Sequence, residues 1–158
     1  MVSRPDGPLR AFRIADRRHS IFDGAGAYLK GARWTSRGRA VIYAAETYAG
    51  ALLEMLVHTG MTGIPRTHAW IDIHIPSTVS IEEVRAGEIS GWDGDDQSAS
   101  RAFGDRWHEE RRTAVLLVPS VVTNGIERNL ILNPEHPAFA SISTGTPHDV
   151  KWDVRLFD

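Results

Sequence analysis

Glu54 is the residue of this chain that most invites a chemical reading. It stands inside Leu52-Leu53-Glu54-Met55-Leu56-Val57, an otherwise apolar run, with the small residues Gly50 and Ala51 just before it. In a helix over Ala45–His58, spacing by four puts Glu46, Gly50, Glu54 and His58 on one stripe. A carboxylate there has two readings. It belongs to the solvated face of an amphipathic helix, or it lines a cleft and does electrostatic or acid–base work. The small neighbours allow a ligand or a second backbone to approach closely. Glu54 and His58 are also spaced like two metal ligands on a helix. One pair is a weak signal, the pattern of two histidines flanking a glutamate is absent, and the other histidines are scattered. No metal is expected.

Two further segments carry chemical potential. Gly24-Ala25-Gly26-Ala27-Tyr28 precedes Gly31-Ala32-Arg33-Trp34-Thr35-Ser36-Arg37-Gly38-Arg39. Glycines beside arginines suit an oxyanion-contacting loop, since exposed backbone N–H groups and guanidinium forks both favour phosphate oxygens. A plain surface loop has the same composition. The segment is neither a dinucleotide-binding fingerprint nor a P-loop, because it opens no helix and lacks the Gly-Lys-Ser/Thr ending. Ser120 follows the apolar run Ala114–Val118 and Pro119, so a small hydroxyl ends a central strand, either lining a pocket or simply capping the strand. It lacks the flanking glycines of a nucleophile elbow.

The elements that must position these groups can be read from periodicity. Leu9–Ile14 and Ala40–Ala44 are short strands, Ser20–Gly38 is a long shaped loop, and Ala45–His58 is the clearest helix, closed by Gly60, Gly63 and Pro65. In His68–Ile75, residues Ala69, Ile71, Ile73 and Ile75 alternate with Trp70, Asp72 and His74, a strand with one apolar face. Ala99, Phe103 and Trp107 recur at helical spacing and predict a helix over Gln97–Glu110. Ala114–Val118, Leu130–Leu132 and Val150–Phe157 read as strands, with a turn at Asn124-Gly125. The expected class is α+β: a single domain with a mixed or antiparallel sheet and a few helices.

Composition bounds the function. At 158 residues the chain is one domain in size and needs no disulfide or metal to hold a core. With 18 basic and 20 acidic side chains the net charge is −2, which argues against a protein that grips nucleic acid through its phosphates. Cysteine is absent, so thiol nucleophiles, thiolate metal sites and disulfides are excluded. The segment 1–8 reads as a flexible lead-in, and neither a signal peptide nor an apolar run of membrane-spanning length is evident. A cytoplasmic protein is expected.

In order and spacing these pieces resemble the RES-domain family, the toxin half of RES–Xre toxin–antitoxin modules. The family is named for an arginine, a glutamate and a serine, matched here by Arg33 in Gly-Ala-Arg-Trp, Glu54 in Leu-Leu-Glu-Met-Leu, and Ser120 in Val-Pro-Ser. Phe12-Arg13-Ile14, Ile42-Tyr43-Ala44-Ala45-Glu46 and Asn129-Leu130-Ile131-Leu132-Asn133-Pro134 resemble the opening, tyrosine-bearing and closing motifs. Thr35 departs from the asparagine that many members carry after the tryptophan. The resemblance spans residues 9–158 and implies a fold like that of ADP-ribosyltransferase toxins. It implies NAD+ as substrate, cleaved at the nicotinamide–ribose bond, with water, phosphate or a protein side chain as acceptor. Glu54, Arg33 and Tyr43 are then the catalytic candidates. Arg13, Arg33, Tyr43, Ser120 and Asn133 are the candidates for holding NAD+, Ser120 through the nicotinamide amide or the ribose. Ser120 has no base partner evident in the sequence, so its role is positioning. The resemblance also implies a cognate Xre-type antitoxin that blocks the cleft and carries the DNA-binding function, and a host protein as possible acceptor. The alternatives are a binding module without catalysis and, further off, a metal-dependent nuclease.

Overall fold

Alternating apolar residues become a single eight-stranded sheet in the computed structural model, which describes residues 7–60 and 62–157. The strands are β1 (Leu9–Asp16), β2 (Ile42–Ala45), β3 (His68–Ile75), β4 (Ile81–Glu83), β5 (Val115–Pro119), β6 (Arg128–Leu132), β7 (Ser143–Thr144) and β8 (His148–Asp149). They pair in the order β4-β5-β6-β2-β1-β3-β7, and β8 also joins β3. Only β4 and β5 are parallel; the other pairs are antiparallel. Among the described residues the helices are α1 (Ala25–Lys30), α2 (Tyr48–Thr59) and α3 (Ser98–Glu109). This is the expected α+β class with a mixed sheet. No helix among the described residues is long and apolar enough to cross a membrane. Residues 1–6 of the expected lead-in lie outside the described residues.

Strand alternation gives the sheet two faces. One closes on the largest apolar cluster, where Ala11, Ile42, Ala44, Ala69, Ile71, Ile73, Ile75, Leu117, Leu130 and Leu132 meet. The expected inward set of β3 is thus buried together. The opposite face is covered in two places. Over β1 and β2, α2 packs Ala51 onto Ile14 and Ala45. Over β5 and β6, α3 packs Trp107 onto Leu116, Val118 and Ile131, beside Trp34 and Trp92. Trp107 is fully buried, and its indole N–H is satisfied by Thr113 Oγ1 at 2.8 Å.

Four expectations change in detail. First, α2 begins three residues later than the apolar pattern suggested. Thr47 is the N-cap, its hydroxyl accepting from Gly50 N at 2.9 Å, so Glu46 falls outside the helix and pairs with Arg128 instead. The helix ends at Gly60, left-handed at φ 74°, where glycine carries no steric penalty. Second, the Ser20–Gly38 loop contains α1. Third, Ile81–Glu83 forms a strand too short to announce itself. Fourth, Val150–Phe157 is not a strand. The edge of β3 is already taken by β7 and β8, which end at Asp149. Beyond them the Asp153 side chain accepts from Arg155 N, favouring a 3-10 turn over Val154–Leu156 whose apolar side chains stay exposed.

The layer carrying Trp34 depends on one glycine. A Cβ on Gly104 of α3 would lie 1.7 Å from the Trp34 carbonyl oxygen, so helix and loop backbones touch only because no side chain intervenes. Gly104→Ala should cost roughly 3 kcal/mol or more by overpacking. Gly26→Ala, in open space on α1, should be neutral or slightly stabilising. Urea denaturation midpoints test this; an unshifted Gly104→Ala midpoint contradicts the packing.

Candidate active site

The site begins where β5 stops. Pro119 has no N–H to extend the ladder, and the chain turns at Ser120, whose backbone is held by Glu127 and Gly125. The turn closes through Asn124 and Gly125, both left-handed at φ 58° and 76°, as the Asn-Gly signal predicted. On β6, Asn129 pairs with Val118 and with Ala45, so its side chain stands on the helix-covered face. Above it lies α2. Gly50 has little room, its hypothetical Cβ reaching 3.0 Å from Thr47 Oγ1 and 3.4 Å from Ala45 and Glu127, and this closeness seats the start of the helix at the end of the β2–β6 pair. The small residues before Glu54 therefore admit another part of the protein itself.

Seated this way, α2 brings Glu54 between the two strand ends. Glu54 Oε1 accepts from Ser120 Oγ and from Asn129 Nδ2, each at 2.8 Å. Glu54 and Asn129 are half-buried, whereas Ser120 is 2% exposed. The hydroxyl of Ser120 is thus committed to Glu54 rather than offered outward, and the serine does have a carboxylate partner that the sequence did not reveal. Two donors fix one carboxylate oxygen and leave Oε2 with no hydrogen-bond partner among the described residues. His58 is exposed and does not share in the cluster. No group of three metal-ligating side chains occurs among the described residues.

Arg33 and Tyr43 approach from the α3 side. Residues 32–39 form a strap laced along α3: Ala32 O accepts from Arg101 Nε, Arg33 O from Ser100 Oγ, and Ser36 N and Oγ both donate to Asp105. The strap turns the half-buried Arg33 toward the 92–94 loop, where Nη1 donates to Gly94 O at 3.0 Å. Its Nε and Nη2 have no partner among the described residues. Trp92 also lies near the Ser120 turn: a Cβ added to Gly125, the residue that closes that turn, would meet the Trp92 ring at 3.5 Å. Tyr43 lies on the same sheet face, two residues before Ala45, in the cluster with Trp34 and Val121. Its hydroxyl meets Thr35 Oγ1 at 2.8 Å, so the residue that departs from the common family pattern is the tyrosine's partner. Burial pushes the Tyr43 phenol well above its ordinary pKa, only partly opposed by the Thr35 hydrogen bond, and the group stays protonated.

The remaining two candidates are elsewhere. Arg13 shares the parity of Ala11 on β1, the face opposite Glu54, and donates to Ile21 O at 2.6 Å and Tyr43 O at 2.8 Å. It braces the splayed β1–β2 pair beneath Tyr43; burial pulls its pKa down, offset in part by Asp23. Asn133 lies past the far end of β6, roughly 13 Å from Asn129 at the strand rise per residue. It is fully buried, with Oδ1 accepting from Glu135 N. The asparagine that meets Glu54 is Asn129, which in the sequence stands only as the first residue of the closing motif. Only its pairing opposite Val118, just before Ser120, distinguishes it, and no sequence signal gives that register.

Comparison with known proteins supplies the family. The RES domain model matches residues 10–153. The chain belongs to the RES-domain family. A curated relative, the Prs ADP-ribosylating toxin of Sphingobium sp. (strain YBL2), is 38% identical over 137 residues, covering 84% of each chain. Toxin Res of Yersinia enterocolitica is 32% identical over 152 residues, covering 94% of this chain and 99% of that one. Among solved structures, a chain of the M. tuberculosis MbcT–MbcA toxin–antitoxin complex aligns with a TM-score of 0.75 over 90% of this chain and 84% of its own, at 16% identity. That likeness shows a shared fold. The protein is a RES-domain toxin, and its signature glutamate and serine are in direct contact.

The contact is testable by stability alone. Glu54→Ala, Ser120→Ala and the double variant form a cycle, and a hydrogen bond to a carboxylate should appear as about 1 kcal/mol or more of coupling. Urea unfolding of the four proteins measures it. Additive effects would mean the two side chains do not interact.

Proposed function

We propose that this RES-family toxin binds NAD+ across the face between α2 and the 32–39 strap and breaks the nicotinamide–ribose bond. The observation that carries the proposal is the Glu54 carboxylate, held by Ser120 and Asn129 with one oxygen unengaged. In the reaction the C1′–N bond breaks and its electron pair leaves with nicotinamide, a neutral product. Positive charge develops across ribose C1′ and its ring oxygen. A preoriented carboxylate stabilises that charge and can hold a ribose hydroxyl without reorganising. The acceptor's oxygen or nitrogen then adds to C1′ and releases its proton.

The other residues divide the work of binding. Arg33 offers its unpaired guanidinium edge to the pyrophosphate, a planar fork that lysine cannot imitate. Tyr43 gives a flat, protonated aromatic surface to the nicotinamide. Ser120 and Asn129 act on Glu54 and Arg13 on the backbone of Tyr43, so these three position rather than touch the reacting bond. The Sphingobium relative's name favours a protein as ADP-ribose acceptor, with water and phosphate as competitors. The complexed fold relative favours an antitoxin, of the Xre type in this reading, that covers the same face and supplies DNA binding.

Nicotinamide release from NAD+ by the purified protein, followed by chromatography, is the test. Wild type should release it, and folded Glu54→Gln should lose roughly a hundredfold or more in rate. Asn129→Ala and Ser120→Ala should lose about threefold to tenfold, the worth of one orienting hydrogen bond, while Asn133→Ala should keep the wild-type rate per folded molecule. Wild-type turnover in Glu54→Gln, or equal losses at Asn129 and Asn133, would contradict the assignment.

A further inference from the structure

The start of α2 is gripped from both faces of the sheet. Glu46 and Thr47 join β2 to α2, and they meet Glu127 and Arg128 at the start of β6. On the helix-covered face, the Thr47 hydroxyl donates to Glu127 Oε1 at 2.5 Å and accepts from Gly50 N at 2.9 Å. On the opposite face, Arg128 N and Nε donate to Glu46 Oε1 and Oε2 at 2.8 and 2.9 Å. Glu46 N donates in return to Arg128 O at 3.1 Å. A further donor of the same guanidinium, Arg128 Nη1, reaches Glu83 Oε1 of β4 at 3.2 Å. Glu46 is thus held through both carboxylate oxygens and its own N–H. The Arg128, Glu46 and Glu83 side chains are 32%, 26% and 14% exposed, so these charge-assisted, directional bonds are partly sheltered from water.

Neither Arg128 nor Glu46 belongs to the Glu54 cluster. Arg128 has the strand parity of Leu130 and Leu132, whose side chains fill the core on the face opposite Asn129. Glu54 takes its own hydrogen bonds from Ser120 and Asn129. Any influence of Arg128 on Glu54 therefore runs through the placement of α2. The other attachment of that helix is apolar, with Ala51 on Ile14 and Ala45 and with Leu52 and Met55 beside them. Apolar burial is non-directional, so it holds the helix down without fixing its tilt. Glu54 stands seven residues beyond Thr47, roughly 10 Å along the helix axis. A tilt of about 5° at the helix start would move its carboxylate by roughly 1 Å, a misplacement that can cost on the order of a hundredfold in rate. Ser120 and Asn129 resist part of that motion.

We propose that Arg128 and Glu46 are positioning residues for NAD+ cleavage: their contact fixes the start of α2 and thereby the place of the Glu54 carboxylate. The inference rests on the role proposed for Glu54, and neither residue touches substrate. Glu46→Gln, Arg128→Met and the double variant test it, with nicotinamide release measured against NAD+ concentration. Each single variant should lose about tenfold in kcat per folded molecule while KM stays within about twofold, because a displaced carboxylate is missed chiefly in the transition state. The double variant should lose no more than the worse single one, since both break the same contact. A second arm needs no turnover. The coupling between Glu54 and Ser120, from urea unfolding of the Glu54→Ala and Ser120→Ala cycle, should fall to about half or less in an Arg128→Met or Glu46→Gln background. Lower urea midpoints with wild-type kcat would make the pair merely structural. A raised KM at wild-type kcat would make it a binding element, and multiplied losses in the double variant would mean that the two act separately. Each of these, or an unchanged Glu54–Ser120 coupling, overturns the proposal. Wild-type turnover in Glu54→Gln would instead overturn the role of Glu54 itself, and the coupling arm would still show whether Arg128 and Glu46 place its carboxylate.

Discussion

The arrangement rests on one carboxylate oxygen shared by two donors. A glutamate in an apolar helix face is costly to bury unless its charge is compensated by hydrogen bonds. Here Ser120 and Asn129 supply them, and each comes from a different strand end. The requirement propagates outward. β5 and β6 must be in the register that pairs Val118 with Asn129, so that Ser120 and Asn129 emerge side by side. The α2 helix must start at Thr47, whose hydroxyl also donates to Glu127 at 2.5 Å, and must lie close enough at Gly50 for Glu54 to reach both donors. Shifting any of these by one residue would turn Glu54 or Asn129 to the wrong face.

A second structural unit faces this one. The 32–39 strap is bound to the Ser100, Arg101, Asp105 and Glu109 side chains of α3, and α3 approaches the strap's backbone at Gly104. Trp34, Phe103 and Trp107 fill the space between strap, helix and sheet. This rigid layer presents Arg33, while the sheet presents Tyr43 and α2 presents Glu54. Three candidate residues distant in sequence, Arg33, Tyr43 and Glu54, are brought to one side of the sheet by packing that is mostly apolar, with polar groups confined to holding backbone and side-chain directions. Sites supported on strands and helices in this way keep their geometry more closely than sites on free loops.

Much of this was legible in the sequence where a local rule decides. The alternation of Ala69, Ile71, Ile73 and Ile75, the Asn-Gly turn, and the helical spacing of Phe103 and Trp107 all correspond to what the fold contains. Glu54 was conspicuous because it interrupts an apolar run. What was not legible depended on pairing between distant segments. Asn129 and Asn133 look equivalent in one short motif, and only the register of β6 against β5 and β2 separates the site residue from the buried turn residue. Arg13 carries a charge that suggests an anion, yet β1 points it at two carbonyls across a gap between strands. The last residues alternate like a strand, but β7 and β8 already occupy the edge they would have joined. Ser120 looks free to reach a ligand in the sequence, since no sequence pattern reveals that its hydroxyl meets a glutamate 66 positions away.

The central claim is that the position of the Glu54 carboxylate, and not only its charge, drives NAD+ cleavage. Glu54→Asp tests this most directly, because it keeps the charge and withdraws the carboxylate by one methylene from Ser120 and Asn129. Nicotinamide release should be measured at saturating NAD+, alongside NAD+ affinity. The account predicts affinity close to wild type and a rate reduced by roughly a hundredfold, as when a preorganised electrostatic contact is displaced. A Glu54→Asp protein that turns over NAD+ at the wild-type rate would contradict it.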